Sequence, residues 1–349
     1  MRLIPSKSAA GYLNTASFGL PPDSTIREVT NVIREWADGR LLFGAWLERA
    51  RLARAAIARL LDVGPEWVVL GSSSAPLLSA VAASLPDGAR VLAPLNEHNS
   101  NLIPYLNQAH RGVRVECVPL PELAARVIPG ISVVSCSAVQ SLTGERADLD
   151  AIGGAAHDAG ALFCLDISQA CGWLPVNGTA ADVIVCSIYK WLCSPIGGAF
   201  LVMRPDLAGR FRPVIPGWIS GADVMAAPYG ADFSWATGPR KLDTVPNLIS
   251  MIGLQASIET ILELGTTRIY EHNVTLANRF RAGLGLSPSN SAIVSVTRPG
   301  ASAQLAKAGI RTTEWQGKLR VSFHFYNSEE DVDEALQVLV AQHLGGTEK

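Results

Sequence analysis

Seven short apolar runs constrain this chain more than any other feature. They lie at 67–70, 90–95, 113–118, 131–136, 161–166, 182–187 and 199–203. Each is too short for a stable helix, and most are apolar along their length, the pattern of strands buried inside a sheet. Amphipathic stretches such as 77–84 and 149–158 separate most of them. Repeated strand–helix–strand order predicts an α/β fold, with a mostly parallel seven-stranded sheet covered by helices on both faces. The 188–198 link is too short for a full helix, so it is expected to join neighbouring antiparallel strands.

The pattern changes after Asp243. Residues 246–264 and 267–284 predict two long helices. Strands at 292–296 and 319–323 and a last helix at 328–342 follow, giving a small α+β unit. Ser328 with Asp331 in the first turn suits the start of that helix. The expected division is a large domain at 20–244 and a small one formed by 1–19 and 245–349.

With 349 residues, 48% of them hydrophobic and 17% charged, the chain can bury a large core. A net charge of −2, without a basic stripe interleaved with aromatics, argues against a nucleic-acid partner. The start, MRLIPSKSAAGYLNTASFG, has no apolar core followed by a small-residue cleavage site. No apolar run approaches the roughly 18 residues of a membrane helix. A cytoplasmic enzyme, not associated with a membrane, is expected. The six cysteines, at 117, 136, 164, 171, 186 and 193, form no CxxC pair. They read as buried small hydrophobes in a reducing compartment. The histidines are scattered, so no metal site is expected.

The chemistry sits at strand ends. Ser187-Ile188-Tyr189-Lys190-Trp191 puts a lysine just past an apolar strand, where open α/β sheets bind ligands. Phe163-Cys164-Leu165-Asp166 ends another strand in an acid, 24 positions earlier, with Ser168 and Gln169 behind it. An acid there can keep a pyridine nitrogen protonated, the requirement of pyridoxal 5′-phosphate (PLP) as an electron sink. Gly71-Ser72-Ser73-Ser74-Ala75 lies between a strand and a helix and suits a phosphate. Glu97-His98-Asn99-Ser100-Asn101 supplies a histidine that could stack on an aromatic ring. Taken singly, each has an ordinary structural explanation. Their order is what carries weight.

Together these motifs resemble the class V aminotransferase family of PLP enzymes, which includes cysteine desulfurases, isopenicillin N epimerases and kynureninases. Tyr12–Gly19 is similar to its N-terminal segment, and 317–327 (GKLRVSFHFYN) to its C-terminal signature. The resemblance implies the PLP-dependent transferase fold (fold type I) and a homodimer. It implies a Schiff base on Lys190, which would also move protons, a pyridine partner in Asp166, a ring-stacking His98 and a Gln169 bond to the phenolic oxygen. It further implies phosphate contacts from Ser73, Ser74, the Ala75 backbone, Ser187 and Tyr189. Arg320 would hold the carboxylate of an amino-acid substrate, with Asn14, Gln140 and Ser141 nearby. Three departures stand out. Ser74 and Ala75 replace two threonines, and Tyr189 replaces a histidine. The family's Gly-Thr element, which reaches a neighbouring subunit's phosphate, is degraded, with Thr244 its nearest counterpart.

A sulfur-relaying desulfurase needs a mobile cysteine near Arg320. Residues 308–317, read as a loop, contain none, and no cysteine follows Cys193. The favoured expectation is therefore a C–S lyase acting by β-elimination on a cysteine-derived conjugate; the overall look is close to the hercynylcysteine sulfoxide lyases. Aminotransferase and epimerase are the alternatives, and a non-catalytic member is the remote one. Phe43, Trp46, Trp218, Trp235 and Trp315 are candidates to line an aromatic-friendly pocket.

Overall fold

The computed structural model describes residues 2–4, 9–225 and 229–345. The seven apolar runs form β1 (Val68–Gly71), β2 (Arg90–Pro94), β3 (Arg114–Val118), β4 (Val133–Ser137), β5 (Leu162–Asp166), β6 (Val183–Ser187) and β7 (Ala199–Met203). They make one sheet in the order β1-β7-β6-β5-β4-β2-β3. Neighbours among β3, β2, β4, β5 and β6 are parallel, while β7 runs antiparallel to both β6 and β1. The 188–198 link therefore returns antiparallel, as its length demanded. β1 ends up parallel to β6, so β1, β2, β4, β5 and β6 all finish at the same edge of the sheet.

Alternate strand residues feed two separate cores. Leu70, Leu92, Val134, Phe163, Ile184 and Phe200 face one side. There they meet α2 (Phe43–Leu61), α5 (Leu149–Asp158) and α6 (Leu248–Leu264). Val69, Val91, Val133, Leu162, Val185 and Leu201 face the other side, covered by α3 (Ser74–Ala83). Every residue of β4, β5, β6 and β7 is buried, which is why these runs lack alternation. The edge strand β3 does alternate. α1 (Asp23–Ala37) packs along α6, and α4 (Asn99–Leu106) along α3.

A third core joins Leu13 to Leu276, Phe280, Val294, Leu305, Leu319 and Val332. Its sheet has the order β8-β10-β9, with β8 (Ile293–Thr297), β9 (Thr313–Trp315) and β10 (Lys318–Ser322) all antiparallel. α7 (Thr266–Gly283), α8 (Ala301–Lys307) and α9 (Glu329–Gly345) flank it. At the start of α9, Asp331 accepts hydrogen bonds from the Ser328 N–H (2.8 Å) and the Gly11 N–H (3.0 Å), tying the N-terminal segment down. No single helix among the described residues is long and apolar enough to cross a membrane.

One expectation is overturned. Residues 308–317 are not a loop throughout. Residues 313–315 are β9, joined to β10 through Gln316 and Gly317 at φ 51° and 72°. Two successive left-handed residues make the tight hairpin turn that matches strand twist. A three-residue strand with Gln at the first turn position carries none of the usual sequence marks. α8, at seven residues, was also too short to show a period.

Candidate active site

Most candidate residues lie at or just past one of the five co-directed strand ends, while Arg320 reaches them from β10, Asn14 from the N-terminal segment and Thr244 from the chain just after 238–242. Lys190 follows β6 and is only 9% exposed. Among the described residues its amine has no hydrogen-bond or salt-bridge partner. Burial is the largest influence on it and pulls its pKa below the ordinary 10.5; the Arg320 charge acts the same way, while Asp166 opposes both. The amine is thus biased toward its neutral, nucleophilic form. Asp166 ends β5, 6% exposed, and one of its oxygens accepts from the Ser168 N–H at 2.7 Å. Its other oxygen accepts no bond among the described residues.

Ser73, Ser74 and Ala75 follow β1. Ser73 is the N-cap residue of α3, yet no side chain caps this helix. Its first N–H groups are open, and the helix dipole adds partial positive charge there. The buried Ser74 hydroxyl is 3.2 Å from that of Ser187, whose own N–H donates to the Ser168 hydroxyl at 2.8 Å. Tyr189 lines the same recess, its ring 5.3 Å from Phe18.

Gln169 is locked. Its amide nitrogen donates to the Ala16 carbonyl (3.0 Å) and the Ser141 hydroxyl (2.9 Å), and its oxygen accepts from Trp191 (2.7 Å). Ser141 links it to Arg320, which donates to the Ser141 carbonyl (2.8 Å), the Ser141 hydroxyl (3.0 Å) and the Ser17 hydroxyl (2.7 Å). The Arg320 Nε is buried without a partner, and no carboxylate among the described residues pairs with the guanidinium. Burial lowers its pKa, the mark of a charge short of a counter-ion.

His98 is the N-cap residue of α4, and its Nδ1 accepts from the Ser100 N–H at 3.2 Å, which leaves the proton on Nε2. Burial, then Lys190, lowers its pKa, which favours the neutral ring. It lines both the recess containing Lys190 and Asp166 and an adjoining outer chamber of about 490 Å³ that contains Arg320.

Asn14 accepts from the Thr313 hydroxyl (2.7 Å) on the chamber wall. Gln140 instead sits behind Glu97, donating to it at 3.1 Å, and does not line the cavities. Thr244 packs at the end of β1 in its own chain. Its N–H donates to the Leu70 carbonyl, and its hydroxyl is buried without a partner beside Gly71. No cysteine lines the recess or the chamber. Cys193 is fully buried and its thiol is pushed well up by burial. Of the aromatic candidates only Trp315 lines the chamber. Phe43, Trp46 and Trp218 cluster with one another, centroids 5.3 to 5.9 Å apart, and Trp235 packs on Phe233.

Glu97 was missed as a functional residue. It is 7% exposed and accepts from the His98 N–H (2.8 Å), the Ser137 N–H (2.7 Å), the Ser137 hydroxyl and Gln140. Burial raises its pKa, and the bonds from Ser137 and His98 oppose that. It fixes the backbone of His98 to the end of β4. The one sequence clue was an acid shortly after a strand end.

The sequence profile of the aminotransferase class-V family matches residues 30–304. This chain belongs to that family. It is a PLP-dependent enzyme, as the family is, and its architecture is fold type I. A probable cysteine desulfurase from Methanothermobacter thermautotrophicus is 28% identical over 291 residues, covering 78% of this chain and 71% of the relative. The cysteine desulfurase of Thermococcus onnurineus NA1 superposes with a TM-score of 0.86 at 22% identity, covering 97% and 96% of the two chains. The cystine C–S lyase C-DES, solved with its product cysteine persulfide, does so at 0.86 and 19%, covering 95% and 97%. At such identity these two structures speak for the fold. The donor set fits PLP: an uncapped helix start with two hydroxyls, a half-satisfied buried carboxylate and a partnerless buried amine share one recess.

Proposed function

We propose that this enzyme is a C–S lyase that removes a sulfur leaving group from a cysteine-derived amino acid by β-elimination, with no protein thiol taking part. The observation that carries this is the make-up of the cavity walls. Arg320 and Lys190 are present, no cysteine is, and the segment beside Arg320 is a closed hairpin rather than a cysteine-bearing loop. The naming of one fold neighbour as a cystine C–S lyase agrees with elimination on this scaffold.

In this reading the open N–H groups of α3, with Ser73, Ser74, Ala75, Ser187 and the Tyr189 hydroxyl, hold the phosphate. Asp166 would accept a hydrogen bond from the ring N–H and keep that nitrogen protonated. His98 covers a ring face. Gln169 reaches the phenolic oxygen by giving up its bond to Ser141. Bound PLP supplies an electron-withdrawing ring that makes the substrate Cα–H bond acidic. Lys190 would carry the cofactor and would serve as the base that takes the substrate Cα proton. Its lowered pKa favours the neutral amine that a base requires. Arg320 holds the substrate carboxylate as a fork and so fixes which bond faces Lys190. The sulfur leaves with the Cβ–S electron pair, and hydrolysis of the resulting enamine consumes one water and yields pyruvate and ammonia. With domains at 20–244 and at 1–19 plus 245–349, Lys190 belongs to the large one and Arg320 to the small one.

A folded variant with all six cysteines replaced by serine or alanine tests the reading. Pyruvate release from a cysteine conjugate at the wild-type rate is expected. Loss of turnover traced to one cysteine would overturn it. Transfer of the amino group to a keto acid, with no C–S cleavage, would replace it with aminotransfer.

A further inference from the structure

The recess around Lys190 is only about 30 Å³, so bound PLP would take the part of the roughly 490 Å³ outer chamber that lies against His98. The wall beyond it, from Leu142 to the hairpin of β9 and β10, reaches past what a cysteine side chain would touch. The chamber's wall chemistry is specific. Asn96, Asn99 and Gln316 bring amide groups, and Trp315 and Leu142 bring apolar surface. The charges on the wall are already committed. Glu97 is saturated by its four donors, His98 has its Nδ1 filled by the Ser100 N–H, and Arg320 is taken by the substrate carboxylate on the reading above. An acidic substrate side chain would compete for Arg320, and a basic one would find no free carboxylate.

The hairpin tip adds a second observation. Gln316 sits at φ 51°, a conformation that glycine or asparagine adopts at lower cost. A long amide side chain kept there, next to a 64% exposed Trp315, is held against local preference at the rim of the chamber. A two-residue turn also holds it more firmly than a loop would.

We infer that the substrate is an α-amino acid with a large, uncharged side chain that combines a planar apolar part with hydrogen-bonding groups, and that Trp315 and Gln316 select it. This rests on the assignment of Arg320 and Lys190 but not on the elimination step. Binding to the holoenzyme is followed through the absorption of the bound cofactor, and turnover separately. The probes are L-cysteine, S-methyl-, S-benzyl-, S-(4-carbamoylbenzyl)-, S-(carboxymethyl)- and S-(2-aminoethyl)-L-cysteine. The S-benzyl compound is expected to bind about tenfold more tightly than the S-methyl compound and than either charged one. Trp315→Ala should abolish that preference. Gln316→Gly, which relieves the turn, should fold normally, leave the S-benzyl preference in place and remove the further gain expected for S-(4-carbamoylbenzyl)-L-cysteine, whose amide can pair with Gln316. Equal affinities across sizes, tighter binding of a charged conjugate, or an unchanged preference in Trp315→Ala would overturn the inference. Tight binding of S-benzyl-L-cysteine without C–S cleavage would leave it standing and sink the lyase reading. Cleavage of cysteine and its conjugates without size preference would do the reverse.

Discussion

Replacing Glu97 by Gln swaps one acceptor oxygen for an NH₂ group in a nest made only of donors. One carboxylate oxygen accepts from the His98 N–H and the Ser137 hydroxyl, the other from the Ser137 N–H and Gln140. The hydroxyl can turn, and Gln140 can present its own unpartnered Oε1. The two backbone N–H groups cannot adapt. Either amide orientation therefore leaves one of them buried and facing another donor, a cost of about 1–3 kcal/mol. Unfolding entropy of roughly 2.1 cal/mol/K per residue converts this, for a chain of 349 residues, into a Tm lowered by roughly 1.5–4 °C. Calorimetry at neutral pH measures it. The wild-type carboxyl has a raised pKa, so its contribution to stability is largest below the ordinary 4.5 and falls as pH rises through its folded value. Glu97→Gln lacks this titration, so the gap between the two proteins should widen as pH falls toward 4.5. An equal or higher Tm for Glu97→Gln at pH 7 would refute this account, because it would mean that removing a buried charge outweighs all four bonds.

Three further outcomes are expected. Arg320→Lys should lower kcat/KM by a factor on the order of 10–100, the loss of a bidentate charge-assisted contact of about 1.5–3 kcal/mol, and should have no such effect on a substrate analogue lacking the α-carboxylate. Borohydride reduction and peptide mapping should place the pyridoxyl group on Lys190, and cofactor attachment to the apoenzyme should accelerate with pH and level off below 10.5, since burial depresses that amine; a label on Lys241 or Lys318 would contradict the assignment. We also propose that two copies associate, as the family resemblance implies; sedimentation should show a dimer, and an active monomer would exclude it.

Strand content was legible because burial on both sides of a sheet leaves continuous apolar runs, and the positions of Lys190 and Asp166 at the ends of two of those runs were legible with it. The 188–198 link was readable from length alone. Chain sequence thus determined the sheet, the carboxyl-end location of the site and the absence of a relay cysteine after Cys193. It could not assign Gln140, since an amide next to Ser141 looks the same whether it faces a ligand or a buried acid. Nor could it reveal Glu97, whose role depends on Ser137 arriving from β4, forty positions away. Phe43, Trp46 and Trp218 looked like pocket residues, yet only packing shows that they meet one another instead. The hairpin of β9 and β10 is the sharpest case. Its three-residue strand is stabilised by pairing with β10 rather than by its own pattern, so the wall that shapes the outer chamber was decided by tertiary structure alone.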